Sequence, residues 1–317
     1  MPKQTILARV DQALERQLNE EFPSCSFSSK LFMSGGPLDR PKPDQLCWKV
    51  ERGPFFYELR ADPKYGLPWG VYGRLIQIWI DTQIIRDTEK NWNSALQEIE
   101  MESVGGGILK GKLKLSLGSS LSSWLTRLGL DTGGKTMRAV ANNWERMASI
   151  KLAGGQTPTS GRYIRAVSED MMSFFSELGN DAFPLCLYTS FWWKADRRRV
   201  HDENTLWDSF IILNPIYKNF VNKFRAIPMD DAVLAVVRES PLAIDFYRWL
   251  RHREHAGQAF SVELNQLLLE FGIQAANPSR YKELLKLYLE RIRTVWKVEA
   301  RFTDGNRGAP AKFMLGM

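Results

Sequence analysis

A helix, a glycine-rich turn, a second helix and a strand follow one another between Gly118 and Leu152. A set of helices closed by a strand, a turn and a strand follows between Ile227 and Leu315. In a chain of 317 residues, long enough for about two domains, these runs predict an α+β fold, mainly α. The predicted architecture is two tandem winged-helix domains with β-hairpin wings. The domains are expected at 61–226 and 227–317. Residues 1–60 are expected to form an N-terminal arm, a candidate dimerisation contact.

From the start of the chain, residues 3–20 read as a short amphipathic helix carrying Ile6, Leu7, Val10, Leu14 and Leu18. Residues 22–45 are rich in Ser, Pro and Gly and read as a loop or arm. Leu46 to Leu59 alternates as one strand or two. A helix is expected from Arg74 to Arg86, with Leu75, Ile78, Trp79, Thr82 and Ile85 on one side. The acidic stretch with Asp87, Glu89, Glu98, Glu100 and Glu102 reads as a solvated loop. After a triple glycine, Lys110, Lys112 and Lys114 alternate with Leu109, Leu113 and Leu115, which is the pattern of a short strand.

The helix-turn-helix comes next. Ser119 and Ser120 suit a helix N-terminus, because a serine hydroxyl accepts from the free N–H groups of the first turn. Leu121, Trp124, Leu125 and Leu128 recur at helical spacing, and Gly129 with Asp131-Thr132-Gly133-Gly134 breaks the run. A second helix is expected from about Lys135 to Ser149. Met137, Val140, Trp144 and Met147 form its apolar stripe. Lys135, Arg138, Asn142 and Arg146 form the opposite face. Cations suit phosphates, and Arg and Asn suit the edges of guanine and adenine. A helix buried on one side and offering such groups on the other is what a recognition helix requires. The candidate contacts here are Lys135, Thr136, Arg138, Asn142, Asn143 and Arg146.

The plain alternative is a surface helix with a solvated charged face. The local charge argues against it. From Gly105 to Arg165 there are ten Lys or Arg and two Asp or Glu, a net of +8, while the whole chain carries +7. The excess positive charge lies around this one element. Duplex DNA is therefore the expected partner, with Lys110, Lys112, Lys114, Arg162 and Arg165 as phosphate contacts.

Gly129 to Thr136 also satisfies the phosphate-loop pattern G-x-x-x-x-G-K-[ST]. That pattern binds nucleotide when a buried strand precedes it and a helix follows. An amphipathic helix is expected before it here, so the match reads as accidental.

Downstream, an aromatic strand at 185–195 and a second strand at 207–213 flank Arg197, Arg198 and Arg199. The expected β-wing would place those arginines on a phosphate backbone or in a minor groove. Residues 166–178 suggest a short helix. In the second unit, 234–237 and 242–250 are expected to be helical. Phe260 to Gly272 reads as a capped helix ending at glycine. Arg280 to Lys297 reads as a long helix with Tyr281, Leu284, Leu285, Tyr288, Leu289, Ile292 and Val295 inside. A hairpin is expected over 298–315, turning at 304–308. The candidate contacts of this second head are Ser279, Arg280, Lys282, Lys286, Arg293, Arg307 and Lys312.

Other chemistry finds little support. Three cysteines without paired spacing argue against a disulfide framework. His201, His252 and His255 do not make a metal-protease frame. No apolar run reaches the ~18 residues of a membrane span, and the first residues lack a signal-peptide stretch. The expectation is a cytoplasmic protein that is not an enzyme and has no metal or cofactor.

Several motifs in order resemble one family. They are Leu67-Pro68-Trp69-Gly70 with Arg74, Leu75 and Trp79, then Leu117-Gly118-Ser119-Ser120-Leu121, then Leu128-Gly129-Leu130 with Gly133-Gly134. Trp207-Asp208-Ser209 with Leu213 follows, then Ile227-Pro228-Met229-Asp230, then Ser240 to Leu250. Over about 60–300 the chain resembles the plasmid-encoded RepA replication initiators. The resemblance implies two winged helices that bind origin direct repeats (iterons) and promote opening of AT-rich DNA. It implies recruitment of the host initiator and replicative helicase, and repression of the protein's own gene as a homodimer. The turn before the recognition helix corresponds to Gly133-Gly134-Lys135. Where the family has an Arg-rich recognition helix, this chain has Arg138, Asn142, Asn143 and Arg146, which implies different bases read.

Overall fold

The computed structural model describes residues 25–28, 36–52, 55–88, 94–102, 107–118, 120–127, 130–156, 182–191, 209–223, 226–255, 259–274, 277–304 and 310–316. Among them are eight helices and thirteen strands, and every strand pairing is antiparallel. The helix expected over 3–20, the helix over 166–178 and the wing tip all lie outside the described residues.

The organising element is helix α1, Gly70–Thr88. It was expected to be amphipathic, but it is buried nearly all round. Ile76, Ile80, Ile84 and Ile85 enter one hydrophobic core, and Leu75 and Ile78 enter the other. A helix buried on nearly all sides has to lie between two packed bodies, and α1 does so.

Around the first core lie strands β2 (Cys47–Arg52), β3 (Phe55–Arg60), β4 (Leu96–Glu102) and β5 (Ile108–Gly118). Helices α2 (Leu121–Arg127) and α3 (Gly134–Ser149) follow, then β6 (Lys151–Gln156), β7 (Phe183–Pro184), β8 (Cys186–Ser190), β9 (Ser209–Leu213) and helix α4 (Pro215–Lys223). The strands form two sheets, in the orders β2-β3-β6-β7 and β4-β5-β9-β8. The strand leaving α3 therefore joins the first sheet. The expected wing strands, β8 and β9, do pair, but they belong to the second sheet.

Of the acidic stretch expected as a loop, Asp87 lies in α1, Glu89 is outside the described residues, and Glu98, Glu100 and Glu102 lie in strand β4. Its carboxylates face lysines across the ladder, Glu98 opposite Lys112 and Glu100 opposite Lys110. Opposite charges directly across a ladder stabilise it, and that favourable pairing is invisible when either segment is read alone.

The second core is built on β10 (Ile227–Asp230), α5 (Asp231–Val237), α6 (Pro241–His255), β11 (Phe260–Glu263), α7 (Leu264–Glu270), α8 (Pro278–Arg293), β12 (Ala300–Thr303) and β13 (Lys312–Leu315). The sheet order is β11-β13-β12. The single helix expected over 260–272 is thus a strand followed by a helix. Pairing of Phe260–Glu263 with β13 outweighs the local helical pattern. Asp230 caps α5, its carboxylate accepting from the Ala232 N–H at 2.7 Å. Pro278 opens α8, where its missing N–H costs nothing.

The N-terminal arm contributes strand β1 (Cys25–Ser28), which pairs with β10. Ser26 donates to the Asp231 carboxylate at 2.5 Å. In this structure the arm is engaged within its own chain.

A buried polar network ties the two cores together. The Arg74 guanidinium donates to the Asp245 carboxylate at 2.6 Å, and both side chains are almost wholly inaccessible. Tyr217 donates to Asp81 at 2.6 Å. Arg248 lies 3.8 Å from Asp245. Burial pushes the Arg248 guanidinium down to about 10 against the pull of Asp245 and Asp81. Burial, with Asp81 beside it, raises the Tyr217 phenol well above its ordinary value. The motifs around Arg74 and Asp245 thus meet at the junction of the units, where their role is structural.

Candidate nucleic-acid interface

Helix α3 is anchored from behind by tryptophans. Trp79 of α1, Trp124 of α2 and Trp144 of α3 meet edge to face, with ring centroids 5.3–5.8 Å apart. Each such pair adds roughly 0.5–1.5 kcal/mol beyond simple burial. Val140 and Met147 complete the inner face. Before α3, the Leu130 N–H returns to the Leu125 carbonyl at 2.9 Å, and Gly133 donates to the Asp131 carboxylate at 3.2 Å. The phosphate-loop pattern therefore has helix α2 in front of it where a nucleotide site needs a strand.

The outer face is exposed. Lys135, Arg138 and Asn142 point to solvent, and none of them has an ion-pair partner among the described residues. Thr136 is half-buried at the helix start.

Two expected contacts are placed otherwise. Asn143 is 3% exposed. Its carboxamide oxygen accepts from the Trp69 N–H at 3.1 Å, and its nitrogen donates to the Ala139 carbonyl at 3.0 Å. It stitches α3 to the segment before α1 and is not available to a base. Arg146 is half-buried, its Nε donating to the Tyr65 carbonyl at 2.9 Å. Burial lowers its pKa, and the positive charge of Arg40 lowers it further, with Glu145 opposing.

The basic strand β5 is largely neutralised. Lys110 pairs with Glu100 at 3.0 Å, and Lys112 with Asp87 at 3.1 Å. Asp87 also holds Lys218 at 2.8 Å. Lys114 lies over the Phe210 ring, 4.6 Å from its centroid. Arg162, Arg165, Arg197, Arg198, Arg199 and Arg307 lie outside the described residues.

In the second unit the outward helix is α8. Its Lys282 is buried, not outward, and pairs with Asp304, holding that carboxyl below its usual range. Lys286 pairs with Glu283 at 3.2 Å. Arg293 pairs with Glu290 at 2.6 Å and also donates to the carbonyls of Val298 and Ala300. Ser279, Arg280 and Lys312 are exposed.

Two exposed cations that periodicity could not mark, Arg40 and Lys64, stand beside α3. Lys64 sits in a turn and Arg40 in irregular chain, where no spacing rule applies. Tyr65 places Lys64, whose ammonium lies 5.2 Å from its ring, beside Arg146, which its carbonyl holds; Arg40 lies near enough to Arg146 to lower its pKa.

Among the described residues there is no group of three or more His, Cys, Asp or Glu that could hold a metal, and no helix long and apolar enough to cross a membrane.

Fold and face together define a two-core chain of helices and antiparallel sheets, with a helix whose exposed cations have no ion-pair partner among the described residues. No protein-family model and no curated sequence matches the chain. Among solved structures it is similar to domain 2 and domain 3 of RctB, seen as a selenomethionine derivative. The TM-score is 0.54 at 12% identity, over 90% of this chain and 95% of that one. A second structure of RctB domains 2-3 aligns at a TM-score of 0.49 and 12% identity, over 88% and 93%. At this identity the likeness to the first is one of fold, and it spans both cores.

Proposed function

We propose that this protein is a plasmid replication initiator of the RepA kind, which works by sequence-specific binding of duplex DNA and not by catalysis. In this reading each core is a winged helix, with α3 and α8 as the two recognition helices. It binds direct repeats at an origin, promotes opening of the adjacent duplex, and recruits the host initiator and helicase. It acts in the cytoplasm on plasmid DNA.

The observation that carries the reading is the outer face of α3. Lys135, Arg138 and Asn142 are exposed together, unpaired among the described residues, on a helix held rigid by three tryptophans. Exposed cations with no carboxylate to satisfy them suit an anionic partner, and an Arg and an Asn one turn apart suit base edges. The RepA motifs supply the biological role. The likeness of fold to domains 2 and 3 of RctB, which spans both cores, supports the reading.

The test is selection of binding sites from a randomised duplex library, followed by footprinting with and without ATP. The expected result is a directly repeated site spaced by whole helical turns and indifferent to ATP. Failure to enrich any sequence would sink the proposal, and a requirement for ATP would revive the phosphate-loop reading.

A second reading is a winged-helix repressor. It is favoured by the ion pairs that occupy Lys282, Lys286 and Arg293. One effective head, doubled by dimerisation, would select a single palindrome.

A further inference from the structure

Two turns before α1 close over the C-terminal half of α3. The path of the first is set by Gly36, whose φ is +112° and whose missing Cβ would lie 2.0 Å from the Pro68 carbonyl oxygen. No other residue fits that approach. Arg74 donates to the carbonyls of Gly36 and Pro37 at 3.0 and 3.2 Å, and the Gly70 N–H donates to Pro37 at 3.0 Å. Arg40 follows directly from this pinned segment. The second turn is closed by Asp62, whose carbonyl accepts from Tyr65 and Gly66 at 3.0 and 2.9 Å. The Asp62 carboxylate accepts from the Lys64 N–H at 2.8 Å.

Tyr65 therefore brings Lys64 and Arg146 together, and Arg40 lies beside Arg146. None of the three has an ion-pair partner among the described residues. The Arg146 guanidinium is held by the Tyr65 carbonyl, and Arg40 lies close enough to perturb it. Like charges brought close favour an anion beside them, and Glu145 offsets only part of this at Arg146, whose pKa stays lowered.

We infer that Arg40, Lys64 and Arg146 form a patch for backbone phosphates, which seats duplex DNA against the C-terminal half of α3. The inference rests on the reading that α3 faces the duplex. In it, Lys135, Arg138 and Asn142 meet the groove, and the Tyr65 patch grips the strand beside it. Phosphate contacts set register and orientation without reading sequence. Arg146 then has two tasks, holding Tyr65 through Nε and offering its outer nitrogens to the phosphate.

The experiment is the salt dependence of binding to a mixed-sequence duplex, using the full chain. Arg40→Ala and Lys64→Ala are exposed changes that leave the turn hydrogen bonds in place. Each is expected to lower the slope of log affinity against log salt by about 0.9, the release of one phosphate's counterions. The loss should be the same on every duplex tested. Unchanged slopes in both variants, with the wild type binding normally, would overturn the patch alone. A loss confined to certain base pairs would also overturn it, because the contact would then be to bases. Arg138→Ala is measured in parallel. If it too is without effect, or the wild type binds no duplex, the reading of α3 has failed and the patch fails with it.

Discussion

Helices α3 and α8 have the same length and occupy comparable places after a short helix and before a strand. Their outer faces differ in what is done with charge. On α3, Lys135 and Arg138 have no carboxylate partner among the described residues. On α8, the outward Lys286 and Arg293 each have one, and the exposed Arg280 at its start has none among the described residues. A count of cations along the sequence rates the two helices alike. Pairing separates them, because the carboxylate beside each cation repels an approaching phosphate. The same holds for β5, whose Lys110 and Lys112 are spoken for by Glu100 and Asp87.

The comparison presumes that both helices belong to one body, and the largest predicted effect tests that premise. Asp245→Ala leaves Arg74 as a buried charge without its partner. The cost is expected to be about 3–5 kcal/mol, seen as a lower denaturation midpoint. A single transition should persist, because α1 contributes to both cores. Two separate transitions would mean that the units fold independently.

On DNA, Arg138→Ala and Asn142→Ala are each expected to cost about 1–3 kcal/mol at particular base pairs. Lys286→Ala on α8 is expected to change affinity by less than either. Binding titrations against duplexes differing at single positions measure both. Equal losses from the two helices would mean that α8 reads bases as α3 does.

How far the sequence carried this distinction depends on the element. The stripe Met137, Val140, Trp144, Met147 and the stripe Leu285, Tyr288, Leu289, Ile292 were legible, since helical spacing alone determines which face is buried. The short final hairpin was legible from its turn. Strand β4 was not, because its glutamates look solvated until the lysines of β5 lie opposite. Strand β11 was absorbed into a helix, because four residues paired with β13 leave no local mark. Asn142 and Asn143 are adjacent and chemically identical, yet one faces solvent and the other bonds the Trp69 N–H. Helical spacing separates them, since Asn143 stands three residues after Val140 and four before Met147, on the flank of the buried stripe, while Asn142 stands opposite it. Arg40 and Lys64 carried no signal at all, since turns and irregular chain have no period.

The comparison can also be run backwards, by freeing the cations of α8. Glu283→Gln and Glu290→Gln together remove the partners of Lys286 and Arg293 while keeping side-chain size. Both pairs are exposed, at the i,i+3 spacing, where such pairs contribute only about 0.2–0.5 kcal/mol to the helix. Stability should therefore hardly move. Affinity for mixed-sequence duplex should rise, and the salt slope should steepen by up to about two units if both cations then meet phosphates. Arg293 keeps its bonds to the Val298 and Ala300 carbonyls, so its reach is shorter and the gain should come mainly from Lys286. A steeper slope would show that pairing is what mutes this helix. An unchanged slope would show that α8 does not face the duplex at all, and the protein would then read DNA through α3 alone.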